Sequence, residues 1–360
     1  MAESRYDYST TVAILSHTAV FKQGSHPRYG ADPVALKVTA TPLPVQSGHD
    51  AAHPTPHEAR VYALLCPHPS IPTFVECEED LFDTSRFFAE EYRCGVQRLP
   101  ILVTQFVKAA SVDRFFLSFP VIRWSVVVRV ARDVAAVLQH VHSKGVVYGD
   151  LKLPNVLLGN GGRTWLVDFA SAVVVGEAAA SASPFAPCEA RGGIRREELA
   201  RGVTLHMRAP ELFPSTDVGN DAYNMVLLQH PFMVDFWSFG ALLLELLTGR
   251  PCLGSFAIGS GTLSAGELQA KVLEGWALAK RRYNNSSSGT HGPHQVNTAW
   301  EALKDMLTGL LQHRPEQRLG FSDGWDSVLQ HRFFECVKTN LKEPFPEEYD
   351  DEISELLLGL

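Results

Sequence analysis

The sequence predicts an α+β fold in which the first hundred or so residues are rich in β-strand and the remainder is mainly helical. Three observations carry that expectation. The β-like runs Thr11 to Lys22 and Val34 to Thr39 flank a Gly/Pro/His-rich connection that reads as a hairpin loop. From Ile122 to Ser143 the apolar residues Val127, Val130, Val134, Leu138 and Val141 recur at helical spacing and stop before Gly145, a good helix terminator. A third stretch, Asp235 to Leu247, is apolar nearly all round, which marks a helix buried at the centre of a large lobe.

The two strands open a small sheet-rich lobe. A helix then begins after Pro56, with Glu58, Val61, Tyr62 and Leu65 at i, i+3, i+4 and i+7, so one face carries a carboxylate among apolar neighbours. Taken alone, Glu58 reads as a first-turn carboxylate favoured by the helix dipole. Glu78 to Glu91, acidic with scattered aromatics, reads as a surface insertion, after which Pro100 to Val107 resumes as an apolar strand. Asp235, at the start of its helix, fits capping of the helix or of loop amides better than catalysis.

Composition is that of an ordinary globular protein, with 45% hydrophobic and 20% charged residues, long enough for one large or two small domains. Lys and Arg number 32 against 40 Asp and Glu, a net charge of -8 that makes no electrostatic case for nucleic acid or an anionic membrane. Arg195-Arg196 reads as solvated surface. Cys66, Cys77, Cys94, Cys188, Cys252 and Cys336 lack metal-ligand spacing, and no charged-then-apolar secretion pattern opens the chain, so a reducing, cytoplasmic setting is expected. The longest apolar stretch, near Phe236 to Leu247, is interrupted by Ser238 and Glu245 and falls short of the roughly 20 residues a membrane span needs, so no transmembrane segment is expected.

Chemistry concentrates in Tyr148-Gly149-Asp150-Leu151-Lys152-Leu153-Pro154-Asn155, followed by Asp168-Phe169-Ala170. An isolated Asp-X-Lys-X-X-Asn is common by chance, but further landmarks follow in order along the chain. These are Val34-Ala35-Leu36-Lys37, Ala209-Pro210-Glu211, Asp235-Phe236-Trp237-Ser238-Phe239-Gly240 and Arg314-Pro315-Glu316-Gln317-Arg318-Leu319-Gly320. Together they resemble the protein kinase family. His142 to Tyr148, with Tyr where most kinases have His, and Arg318-Leu319-Gly320 followed by His331-Arg332-Phe333-Phe334, are similar to the AGC group of Ser/Thr kinases.

The resemblance implies a bilobal protein-kinase-like fold: a small β-rich N-lobe over residues 10–107, a larger, mainly helical C-lobe over 108–336, and a C-terminal tail over 337–360. It implies ATP and Mg²⁺ as cofactors and a protein Ser or Thr hydroxyl as acceptor. Phosphoryl transfer needs an acid to orient the hydroxyl, oxygen ligands for Mg²⁺ and cations on the phosphates. In that scheme Asp150 and Lys152 are catalytic, Lys37 holds the phosphates and pairs with Glu58, and Asn155 and Asp168 are the metal ligands. Val20, Ala35, Thr104, Gln105, Val107 and Leu157 contact the nucleotide, with Gln105-Phe106-Val107 as the hinge that meets adenine. Arg318 is expected to pair with Glu211, and Thr204 to hydrogen-bond Asp150. Val173 to Gly202, Pro214 to Pro231 and Phe256 to Asn297 are longer than a minimal kinase requires, and Asn284 to His294 has linker composition.

Four features depart from the family pattern. The loop that should be glycine-rich reads Val12-Ala13-Ile14-Leu15-Ser16-His17-Thr18, although glycine is what lets backbone amides approach phosphate. Gly149 stands where many kinases place the Arg that grips a phosphorylated activation loop, and Pro187 to Val203 holds no Ser, Thr or Tyr while offering Glu197 and Glu198. Ala170 replaces a glycine, and Leu153-Pro154 permutes a proline. Two functions fit: an ATP-dependent Ser/Thr kinase, supported by survival of every charged group the chemistry uses, or a pseudokinase scaffold, supported by the glycine-free loop, Gly149 and Ala170.

Overall fold

Alternating burial builds the first sheet in the computed structural model, which describes residues 4–15, 17–40, 54–175, 196–213, 229–251, 253, 264–285 and 297–357. Strands β1 (Thr11–Ile14), β2 (Thr18–Gln23) and β3 (Val34–Thr39) precede helix α1 (Pro54–Leu65), and β4 (Phe74–Asp83) and β5 (Val96–Gln105) follow it. All pair antiparallel in the order β1-β2-β3-β5-β4. One face buries Phe21, Leu36, Val38, Phe82, Ile101 and Val103 in a single core cluster. Contacts divide the chain into two units: one runs to Lys108 and includes Asp168–Ala170 and Ser354 onward, the other holds Ala109–Val167 and Ser171–Ile353.

The structure corrects the reading of Glu78 to Glu91 as an insertion. Residues 78–83 belong to β4, and beyond them Phe88 is core. The acidic composition misleads because Glu76, Asp80 and Phe82 share one buried face of the strand, with the two carboxylates held by the N-terminal segment. Glu76 accepts a hydrogen bond from the Tyr6 hydroxyl at 2.6 Å and lies 3.1 Å from His26 Nε2 and 3.2 Å from Arg5. Arg28 approaches its other oxygen at 2.9 Å as an ion pair that lacks hydrogen-bond geometry. Asp80 accepts from the Ser4 hydroxyl at 2.7 Å and from the Arg5 and Tyr6 amides. Strand β5 also starts at Val96, four residues before Pro100. Pro100 is tolerated there because the pairing with β3 stops at Ile101, so no ladder donor is lost on that side.

The second unit begins with β6 (Ala109–Ser111) and α2 (Trp124–Ser143), whose first residue lies two beyond the expected Ile122. Short strands β7 (Val146–Val147), β8 (Val156–Gly159), β9 (Thr164–Leu166) and β10 (Val173–Val174) form the sheets β10-β7 and β6-β8-β9. Helices α3 (Arg196–Arg201), α4 (Met233–Thr248), α5 (Ala265–Asn285), α6 (Asn297–Leu310), α7 (Trp325–Leu329), α8 (Arg332–Cys336) and α9 (Glu347–Leu357) follow. Helix α4 is buried nearly all round, and its Phe236 stacks on Trp325 with ring centroids 4.1 Å apart. The C-terminal segment packs on this unit too: Tyr349 stacks on Phe119 at 4.4 Å, and its hydroxyl accepts from the Arg123 amide at 2.9 Å.

Of the long connections, residues 176–195, 214–228, 256–263 and 286–296 lie outside the described residues, and so does most of the stretch read as a linker. Within the third connection, residues 265–285 form α5. Among the described residues no helix is long and apolar enough to cross a membrane.

Candidate active site

Sheet register gathers the first group of residues. Val20 lies opposite Lys37 and Ala35 opposite Thr104, so all four side chains project from one face of the sheet, away from the Phe21 and Leu36 core. Helix α1 brings Glu58 to that face. Lys37 Nζ donates to Glu58 Oε1 and Oε2, both at 2.9 Å, and to Asp168 Oδ1 at 2.6 Å. Burial works against the ammonium, but the two carboxylates outweigh it and hold the Lys37 pKa above its ordinary value. Burial and the Asp168 charge push Glu58 up, with Lys37 opposing them.

Glu58 also accepts from the Phe169 amide at 3.1 Å, and one turn on, Tyr62 meets the Phe169 ring edge-on at 4.9 Å. These contacts hold Asp168 at φ 64, a left-handed conformation that Asp tolerates better than most residues. Ala170 keeps a negative φ, so its Cβ meets no such penalty. At the end of β5 the Gln105 amide bonds Thr73 O at 2.8 Å and the Phe106 amide bonds Pro33 O at 3.1 Å. Of the three hinge residues, Val107 is the one whose amide remains unclaimed among the described residues. The glycine-free loop is a tight hairpin closed by the Leu15 amide on Thr18 O at 2.7 Å, with Ile14 and Leu15 48% and 64% exposed, and Ser16 lies outside the described residues.

The second group is assembled around Asp150. Its Oδ1 accepts from the Thr204 hydroxyl at 2.7 Å and the Thr204 amide at 3.1 Å; its Oδ2 accepts from Lys152 Nζ at 2.6 Å. Asn155 Nδ2 donates to the Asp150 carbonyl at 2.9 Å, which turns the asparagine toward the same carboxylate. Leu157 sits in β8, paired with Trp165 of β9. Asp235 supports the loop from beneath, accepting from the Tyr148 amide at 2.7 Å and the Gly149 amide at 2.9 Å. Its third partner is His142 Nε2 at 2.8 Å, and Trp325 Nε1 donates to His142 Nδ1 at 2.8 Å. That donation assigns Nδ1 as the bare nitrogen and Nε2 as the donor to Asp235.

A third fixture is the fully buried pair of Arg318 with Glu211, bidentate at 2.6 Å on both oxygens. Arg318 also donates to the carbonyls of Met233 and Gln312. In a comparison with known families, a protein kinase domain model matches residues 28–334. The chain belongs to the protein kinase family. Similar curated proteins include protein kinase C of Drosophila melanogaster, 26% identical over 88% of this chain and 34% of that protein. Serine/threonine-protein kinase AGC1-5 of Arabidopsis thaliana is 24% identical over 78% of the chain and 48% of its own length. Similarity extends to a probable cyclin-dependent kinase 10 of Dictyostelium discoideum, 28% identical over 59% of the chain and 50% of that protein. The chain therefore spans between about a quarter and a half of the length of the first curated relatives it matches.

Within this kinase domain, Lys37, Glu58 and Asp168 are brought into direct contact in the first unit, and Asp150, Lys152, Asn155 and Thr204 in the second. Sequence reasoning missed His142 and Trp325. His142 carries no signal beyond a polar group in a largely apolar helix, and Trp325 none beyond an aromatic in a short one. Among the described residues no three His, Cys, Asp or Glu side chains gather as a metal cage. Mg²⁺ asks for none, since it characteristically takes one or two carboxylates together with substrate phosphates.

Proposed function

We propose that this domain is an active protein Ser/Thr kinase that transfers the γ-phosphoryl group of ATP to a protein hydroxyl. The observation that supports it most is Lys37 held between Glu58 and Asp168, because this is the cation a bound triphosphate needs, already positioned and charged. Asp150 is the residue that orients the acceptor hydroxyl and takes its proton, with Thr204 fixing one carboxylate oxygen. Lys152 neutralises charge on the transferring group. Asn155 and Asp168 would hold Mg²⁺ through their side-chain oxygens, and the ion would supply positive charge against the phosphates. Val20, Ala35 and Thr104 furnish the sheet surface for the base, with the Val107 backbone as its polar contact.

A second reading, a pseudokinase scaffold, is favoured by the exposed Ile14 and Leu15 at the hairpin that should be glycine-rich. One experiment separates the two. Thermal unfolding with ATP, with and without Mg²⁺, is followed by transfer of labelled phosphate to a mixed Ser/Thr peptide library. Metal-dependent stabilisation with transfer supports the kinase. Stabilisation without transfer sinks it in favour of the scaffold.

A further inference from the structure

Ser171 occupies a slot that exists because two neighbours lack side chains. At Gly149, φ 80, a Cβ would stand 2.8 Å from the Ser171 carbonyl oxygen. At Gly202 a Cβ would stand 2.0 Å from Ser171 Oγ and 2.3 Å from its Cβ, closer than real Cβ atoms approach. A rotamer change would move Oγ but not Cβ, so the second contact is fixed by the presence of any side chain at 171.

The slot joins three segments at one carboxylate. Gly149 immediately precedes Asp150, Ser171 follows the Asp168-Phe169-Ala170 motif, and Gly202 lies two residues before Thr204, which bonds Asp150 through both its amide and its hydroxyl. The same turn is held by Arg208, whose guanidinium donates to the carbonyls of Ala200 at 2.8 Å and Val203 at 3.1 Å. Apart from Asp150 itself, the acceptors in these ties are neutral carbonyls.

We propose that Ser171 is a positioning residue: seated between Gly149 and Gly202, it sets Thr204 against Asp150 by close packing, where a phosphate would otherwise do so by charge. Its effect on catalysis rests on the proposed role of Asp150; its effect on the Thr204 position does not. The test is a set of double-mutant cycles in the full chain, read by hydrogen exchange at the Thr204 amide and by transfer kinetics.

Gly202→Ala should speed exchange at Thr204 by about tenfold or more, as expected for overpacking, and lower kcat by a similar factor with KM for ATP within about twofold. Adding Ser171→Gly should restore most of that loss, since it removes the Cβ and Oγ that the new methyl group at position 202 would strike. Gly149→Ala should also loosen Thr204, yet Ser171→Gly should not restore it, because the clash there is with a main-chain oxygen and the φ is left-handed. A merely structural role for both glycines would give the same response to Ser171→Gly in both backgrounds. An unchanged Thr204 amide in Gly202→Ala, or a double variant no better than the single, would overturn the proposal. If Gly202→Ala does not fold, a folded double variant supports the slot and an unfolded one refutes it. A wild-type protein without transfer would defeat the kinase reading while leaving the exchange cycle to decide the slot.

Discussion

At the scale of single residues, the site divides into groups whose loss should be seen in different measurements. Asp150→Asn keeps the hydrogen bond to Thr204 but removes the proposed proton acceptor, so nucleotide stabilisation should survive while kcat falls by about 10²- to 10⁴-fold. Asp168→Asn replaces a carboxylate by an amide, a much poorer ligand for a hard cation, and should abolish the Mg²⁺-dependent part of the thermal shift. Wild-type transfer in both variants would show the assignments to be wrong. Arg318 is a different case. Arg318→Leu leaves Glu211 charged, buried and unpaired, and should cost about 3–5 kcal/mol in urea unfolding. A loss below about 1 kcal/mol would mean that water reaches the vacated site.

At the scale of elements, β4 is where composition and structure part company. Burial opposes the charge on Glu76, but the Tyr6 hydroxyl and the charges of Arg5, His26 and Arg28 outweigh it and hold its pKa below the usual glutamate value. A carboxyl depressed in the folded state contributes stability that is complete above the unfolded value, about 4.3, and is lost as pH falls through the lower folded value. The stability difference between wild type and Glu76→Gln should therefore be largest near neutral pH and shrink on acidification. A difference independent of pH would exclude the mechanism. Glu76 was illegible as a core residue because its partners, from Arg28 to Arg5, lie far away in the sequence, with Tyr6 and His26 at separations of 70 and 50, and each meets it through a polar group. By contrast, Lys37 and Glu58 were legible as charges on a strand and a helix whose periods are plain, and Asp150 and Asp168, which lie in loops, as charges at set distances from recognisable neighbours. Ser171 falls between these cases, since its position depends on what two glycines omit.

At the scale of the whole molecule, the question is what keeps the activation segment in place. Gly149 cannot grip a phosphate, and the sequence from Pro187 to Val203 offers no acceptor hydroxyl, although residues 187–195 lie outside the described structure. Of the acidic pair that follows, Glu197 is not the substitute it resembles, because its side chain is 70% exposed and among the described residues reaches only its neighbour Arg196, at 3.6 Å; the side chain of Glu198 lies outside the described residues. Order comes instead from Thr204 on Asp150 and from Arg208 on two carbonyls. None of these contacts gains or loses charge when a phosphate is added or removed, so among the described residues there is no electrostatic event to bias a switch. Protein made in a host without eukaryotic kinases and then treated with phosphatase should transfer phosphate at the same rate as untreated protein, within about twofold. A phosphatase-sensitive difference of tenfold or more, traced to a residue between Asp168 and Glu211, would correspond to about 1.4 kcal/mol of phosphate-dependent ordering and would defeat this account.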